Sequence, residues 1–385
     1  MESPLSDLKV LDLSRLLPGP YATLVLAALG AGVDKVEDPA GGEFLRNLPP
    51  LVDGRSVLFE VLNRGKRSLT LDLKTPAGNR AFRRLVRGYD LLVEGFRPGV
   101  MERLGLSYGA LRDENPRLIY CSLSGYGQTG PDRLKVGHDL NYLARAGVLG
   151  YGGSPEGPPA MPGVQIADIG SALSAVIGLL SALHQRNRTG RGCHLDIALN
   201  EAALAFLYPQ LAARLAAGSA GRPLARGRDL LNGGIANYGV YRTADGRYLS
   251  VGALEPKFFV ELCTRLGKPE LAETADGSAE REEQIRRELS ASFAGKSLSE
   301  WVAHFADSEC CVEPVYEGDE VLSDPQLRAR DLLQQAPASG VGQAQLRLPF
   351  ALTQFLKDPA PGLGEHSAEI LAEAGFPQDE IRKLV

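Results

Sequence analysis

The sequence predicts an α/β fold: a large domain built on a parallel sheet, followed by a smaller α+β domain. Three observations carry this. Residues 8–13 read as a short buried strand, 21–29 as a helix and 33–37 as a second strand, a βαβ unit whose crossover is right-handed. Short apolar runs of the same kind recur between helical stretches as far as residue 199. Beyond residue 230 the texture changes to a hairpin followed by helices. These features place a large domain over 1–216, a small domain with its linkers over 217–330, and a C-terminal segment, 331–385, that returns to the large domain.

In the first strand Leu8, Val10, Leu11 and Leu13 supply the apolar side chains, and Ser14 to Pro20 break the run. Gly30-Ala31-Gly32 stops the first helix. The stretch 40–66, rich in Gly, Pro and Arg, reads as a long functional loop. Strands follow at 68–73, 90–94 and 118–123, with a helix over 76–87 and a further strand over 193–199. The most helix-like segment runs from 169 to 186, and another helix is expected over 201–215. Residues 217–230 read as a linker. Tyr238 to Arg242 and Tyr248 to Val251, joined through Ala244-Asp245-Gly246, form the hairpin. Helices near 257–266, 281–294 and 298–306 complete the small domain, and a last helix over 365–374 packs back on the large one.

Composition bounds the function. With 385 residues, 44% apolar and 23% charged, the chain can bury a large core, and a net charge of −5 argues against a nucleic-acid partner. The five cysteines show no metal-ligand or redox spacing, so no metal site is expected. No apolar run reaches membrane-spanning length and Met1-Glu2-Ser3-Pro4 does not start a signal peptide, so a cytoplasmic protein without membrane association is expected. The first strand is not followed by GxGxxG, which disfavours a nicotinamide enzyme.

Ligands of an open parallel sheet sit beyond the carboxyl ends of its strands, so the loops at 14–20, 74, 95–99 and 124–128 converge on one edge. His138 and Asp168 each open a helical segment beside glycine-rich loops. Asp168 can cap its helix and still face a ligand. An imidazole is suited to proton transfer near neutral pH, and a partly desolvated carboxyl group becomes a useful acid. Arg64, Lys66 and Arg67, with Arg97 and Arg103 after the fourth strand, fit the phosphates of an extended anionic ligand. Glu255, just past the hairpin, is a weaker candidate that doubles as a first-turn charge of the next helix.

The motifs Leu16-Leu17-Pro18-Gly19-Pro20, Leu62-Asn63-Arg64-Gly65-Lys66-Arg67-Ser68, Gly95-Phe96-Arg97-Pro98-Gly99-Val100, Ser124-Gly125-Tyr126-Gly127-Gln128 and Thr189-Gly190-Arg191-Gly192 resemble the family III CoA-transferases (the CaiB/BaiF family), which include α-methylacyl-CoA racemases. The resemblance implies an interlocked homodimer with a Rossmann-like large domain. It places the CoA part of an acyl-CoA substrate along Leu17, Pro18, Leu71, Asp72, Leu73, Lys74, Gly95, Phe96, Arg97 and Arg103, beside Arg64 and Tyr126, with no permanently bound cofactor. It also implies that Asp168 is the key carboxylate. In the transferases that group is a nucleophile forming an anhydride and then an enzyme thioester. In the racemases it works with the histidine of a GHD motif, which stands here as Gly137-His138-Asp139, and Leu254-Glu255-Pro256 resembles the segment whose glutamate orients that histidine. The first expectation is therefore racemisation of 2-methylacyl-CoA thioesters by His138 and Asp168, with Glu255 in support. The alternative is CoA transfer from an acyl-CoA to a carboxylic acid through Asp168. Val164 and Asp38 depart from the pattern, standing where an asparagine beside Asp168 and an arginine on CoA are usual.

Overall fold

Apolar segments of four to six residues, punctuated by Gly and Pro, become strands buried on both faces once helices cover the sheet. The computed structural model describes residues 3–221, 223–273, 278–335, 344–349, 355, 356 and 358–385. The strands Lys9–Leu13 (β1), Gly32–Glu37 (β2), Arg67–Thr70 (β3), Leu91–Glu94 (β4), Ile119–Ser124 (β5) and His194–Ala198 (β6) form one parallel sheet in the order β3-β2-β1-β4-β5-β6. Leu11 of β1 lies opposite Asp34 on one side and Leu92 on the other. This order is Rossmann-like, and its direction reverses between β1 and β4. The crevice for a ligand therefore opens at the carboxyl ends of those two strands. On one face, Leu11, Leu69, Phe82, Leu85, Leu92 and Tyr120 make a core with Ile370 and Leu371 from the C-terminal end.

Several boundaries differ from those expected. The first helix is Pro18–Ala28, three residues earlier than periodicity suggests, because proline at the first helical position keeps its fixed φ and loses no hydrogen bond. The stretch 40–66 holds the helix Val57–Asn63, capped by the Ser56 hydroxyl, so it is not a long open loop. β3 ends at Thr70, which leaves Leu71 to Lys74 in the turn beyond it.

The helix Ile166–Thr189 corrects another expectation, since it is long and apolar enough to cross a membrane. Its serines disguise this in the sequence: Ser174 and Ser181 donate to Gly170 O and Ile177 O at 2.8 Å, which removes their polarity from the surface they present. Half of its most apolar stretch is buried, against helix Pro18–Ala28 and strands β5 and β6. Small residues at its buried positions, such as Ala167, Gly170, Ala172 and Ala175, permit this close packing.

The chain divides into two units: Met1–Ala146 with Gly163–Phe206 and Pro325–Val385, and Gly147–Pro162 with Leu207–Asp324. The assignment of 147–162 to the second unit was not among the expectations. In the first unit the C-terminal segment closes on β3, where Gly364 N–H donates to Ser68 Oγ at 2.9 Å and Thr70 N–H to Ser367 Oγ at 3.0 Å. Helices Ser367–Glu373 and Gln378–Leu384 follow, the second unforeseen. In the second unit, the strands Tyr238–Arg242 and Tyr248–Gly252 pair antiparallel, and a third strand, Val312–Pro314, adds to the latter. Helices Pro256–Arg265, Ala279–Phe293 and Leu298–Phe305 cover this sheet, and Trp301 Nε1–H donates to Phe293 O at 2.9 Å within their core.

Candidate active site

The floor of the site is set by a buried ion network under the loop that follows β1. Asp12 in β1 is fully buried; it accepts from Ser14 N–H at 2.9 Å, Thr23 Oγ1 at 2.6 Å and Lys66 Nζ at 3.0 Å. Burial works against its charge, but Lys35 and Lys66 hold its pKa well below the ordinary carboxylate range. Lys35 donates to Ser14 O at 2.8 Å and pairs with Glu43 at 2.9 Å. Burial outweighs these anions at Lys66 and brings its pKa down to about 8. The tie at Ser14 fixes the turn into helix Pro18–Ala28, where Leu16 adopts a left-handed φ of +64°. Across the switch point, Glu94 at the end of β4 accepts from Phe96 N–H at 2.8 Å, and the Arg15 guanidinium lies 4.7 Å from the Phe96 ring centre.

Arg15 and Phe96 are shared by two cavities. The smaller, about 320 Å³, is lined by Leu71, Asp72, Leu73 and Lys74 from the turn after β3. The larger, about 510 Å³, is lined by Pro18, Gly95, Arg97, His138 and Asp168. The expected ligand loops and both expected proton-carrying groups thus meet along the carboxyl edge of the sheet.

His138 is the N-cap residue of helix Asp139–Arg145, and its N–H donates to Asn141 Oδ1 at 3.0 Å. Asp168 is not the N-cap residue: Gln165 holds that position in helix Ile166–Thr189, without a side-chain capping bond, and Asp168 stands in the first turn. Its N–H donates to Asp139 Oδ1 at 3.0 Å, which links the starts of the two helices. Burial, then the Asp139 charge, raise the Asp168 pKa from 3.8 to about 6, against a lowering by His138. Tyr142 walls the cavity with its hydroxyl donated to Gly137 O at 2.6 Å, and a Cβ at Gly125 would lie 2.7 Å from its ring.

Other expected residues sit elsewhere. Leu17 packs toward the small core of Leu45, Phe59 and Leu62. Arg64 is only 5% exposed. The idea of an open cationic cluster around it is corrected, because Lys66 is committed to Asp12 and Arg67 pairs with Asp34 and Glu373 at 2.7 and 2.8 Å. Arg103 is exposed and outside both cavities; Tyr126 is half-buried, also outside them, and meets Tyr142 edge-on at 5.3 Å. Glu255 is exposed in the second unit, where it precedes helix Pro256–Arg265. Arg15, Asp139 and Tyr142 were not foreseen as site residues. The GHD motif carried the signal for Asp139, and nothing in local sequence singles out the other two.

Comparison with known proteins decides the family. Residues 5–367 match the model of CoA-transferase family III. The chain belongs to this family. Among curated family III relatives, an α-methylacyl-CoA racemase from Homo sapiens is 37% identical over 99% of this chain and 96% of its own length. A succinyl-CoA:glutarate CoA-transferase from Mus musculus is 33% identical over 99% of this chain and 89% of its own. The crystal structure of a CAIB/BAIF family protein from Brucella suis superposes with a TM-score of 0.84 at 34% identity, covering 97% of this chain and 100% of that one. The family III chain is an enzyme acting on CoA thioesters.

Proposed function

We propose that this family III enzyme racemises 2-methylacyl-CoA thioesters by removing and returning a proton at C2. The observation that carries the reading is that His138 and Asp168, held at two linked helix starts, line one cavity at the carboxyl edge of the sheet. With a pKa of about 6, Asp168 is mostly ionised at pH 7 yet close enough to neutrality to serve as base in one direction and acid in the other. The imidazole takes the opposite face. When one group removes the proton, the C–H electron pair moves onto the thioester oxygen as an enolate, and the other group delivers a proton to the far face. The CoA part runs past Lys74 in the smaller cavity and past Arg15 and Phe96, which line both. Glu255 orients His138 across an interlocked homodimer, and the protein works in the cytoplasm.

CoA transfer is the second reading, supported by the transferase relative and by the fact that a desolvated Asp168 is also a competent nucleophile toward C1. Solvent deuterium entering C2 without any CoA acceptor supports racemisation. Trapping an Asp168 thioester with hydroxylamine or borohydride during turnover supports transfer. A His138→Ala variant that keeps full exchange at C2 refutes the racemase reading.

A further inference from the structure

Among the described residues, buried hydroxyl groups are accounted for one by one. Thr23 and Ser14 bond to Asp12, Ser68 to Glu37, Ser171 to Asp168 O and Ser122 to His194 Nε2 at 3.0 Å. Ser124 breaks the pattern. Its residue is 6% exposed, its Oγ is buried, and that oxygen has no hydrogen-bond partner. A buried polar group left unpaired costs about 1–3 kcal/mol, so such groups are rare and call for an explanation.

The position supplies one. Ser124 ends β5 and lines the same cavity as His138 and Asp168. Ser122, two residues earlier and so on the same face of the strand, has its hydroxyl satisfied inside the sheet, whereas Ser124 stands at the rim. The other hydroxyl at this cavity, on Tyr142, is already given to Gly137 O. Packing at this end of β5 leaves no room for a side chain at the next residue, since a Cβ on Gly125 would lie 2.7 Å from the Tyr142 ring.

We propose that Ser124 is a catalytic hydrogen-bond donor to the thioester oxygen, its hydroxyl left unpaired in the free enzyme so that it can meet the negative charge that develops there. The inference rests on the proposed C2 chemistry but reaches past it. In racemisation the C2 proton leaves to His138 or Asp168 and the electron pair collects on the thioester oxygen. In transfer, attack of Asp168 on C1 sends the carbonyl π pair to the same oxygen. In both cases Ser124 keeps its proton and only donates a hydrogen bond, which strengthens as the charge grows.

The test is Ser124→Ala in the full-length enzyme, assayed for deuterium entry at C2 and for CoA transfer, with acetyl-CoA binding and thermal midpoint measured alongside. Removing one such donor lowers kcat by about 10²-fold. KM and acetyl-CoA affinity stay within about threefold, and the thermal midpoint holds or rises, because an unpaired hydroxyl has been deleted. Ser124→Thr, which keeps the hydroxyl, restores most of the rate. A kcat within threefold of the parent, or a loss of rate that tracks a lowered midpoint, overturns the assignment. If the parent transfers CoA without exchanging C2, the racemase reading has failed and the Ser124 assignment is judged on the transfer rate alone.

Discussion

Replacing Asp168 with asparagine is expected to stabilise the protein while abolishing turnover. The folded-state pKa of about 6 lies above the ordinary 3.8. This difference amounts to about 3 kcal/mol against the ionised form in the folded state. The sign follows from linkage: a carboxyl group with a raised folded pKa imposes no penalty below pH 3.8, a growing penalty as pH rises to about 6, and a constant one above. The first-turn position favours negative charge by about 0.3–1 kcal/mol, and asparagine gives that up. The net gain for Asp168→Asn is therefore about 2 kcal/mol at pH 7.5, shrinking toward zero near pH 4. Parallel thermal or urea unfolding of both proteins across that range measures it. If the variant is no more stable at pH 7.5, or if its advantage does not fade on acidification, the account of Asp168 as a strained, desolvated carboxylate fails.

Other perturbations address the surroundings. Because burial is the larger cause of the raised Asp168 pKa and the Asp139 charge the second, Asp139→Asn should lower that pKa and leave it raised by burial. The acid limb of the kcat/KM profile, near pH 6 in the parent, should move down with it. A limb that moves up, or stays fixed, refutes the coupling. Lys66→Met leaves Asp12 with Lys35 as its remaining cation, at 4.0 Å, and should cost about 3–5 kcal/mol in unfolding free energy. A loss below 1 kcal/mol would show that the network is not holding the loop. Gly125→Ala forces a Cβ to within 2.7 Å of Tyr142 and should cost about 1–3 kcal/mol while lowering activity. Unchanged stability would mean that this wall yields freely.

The sheet was legible because its strands are short, apolar and separated by helix signals, as in Leu91-Leu92-Val93 followed by Gly95 and Pro98. The site was partly legible for the same reason, since strand ends point to loops such as 95–97. What stayed hidden depends on pairing across long sequence distances. Lys66 and Arg67 look like a solvent-facing pair until β1 and β2 bring Asp12 and Asp34 beside them. Asp168 looks like a cap because the apolar run begins at Ile169, yet the helix starts at Ile166. The unpaired Ser124 hydroxyl is invisible in a sequence, because it is defined by what fails to come near it.

The closure of the C-terminal segment on β3 bears on how this molecule comes into being. Until residues 364–371 leave the ribosome, Ser68 and Thr70 lack the partners that Gly364 and Ser367 provide, and Leu69 and Phe82 lack the cover of Ile370 and Leu371. The first unit is stitched across nearly the full chain and so completes late and slowly, whereas the second draws most of its mass from the continuous span 207–324. A nascent chain halted short of residue 360 would carry an uncovered sheet edge and half a core, a species prone to association and dependent on chaperones.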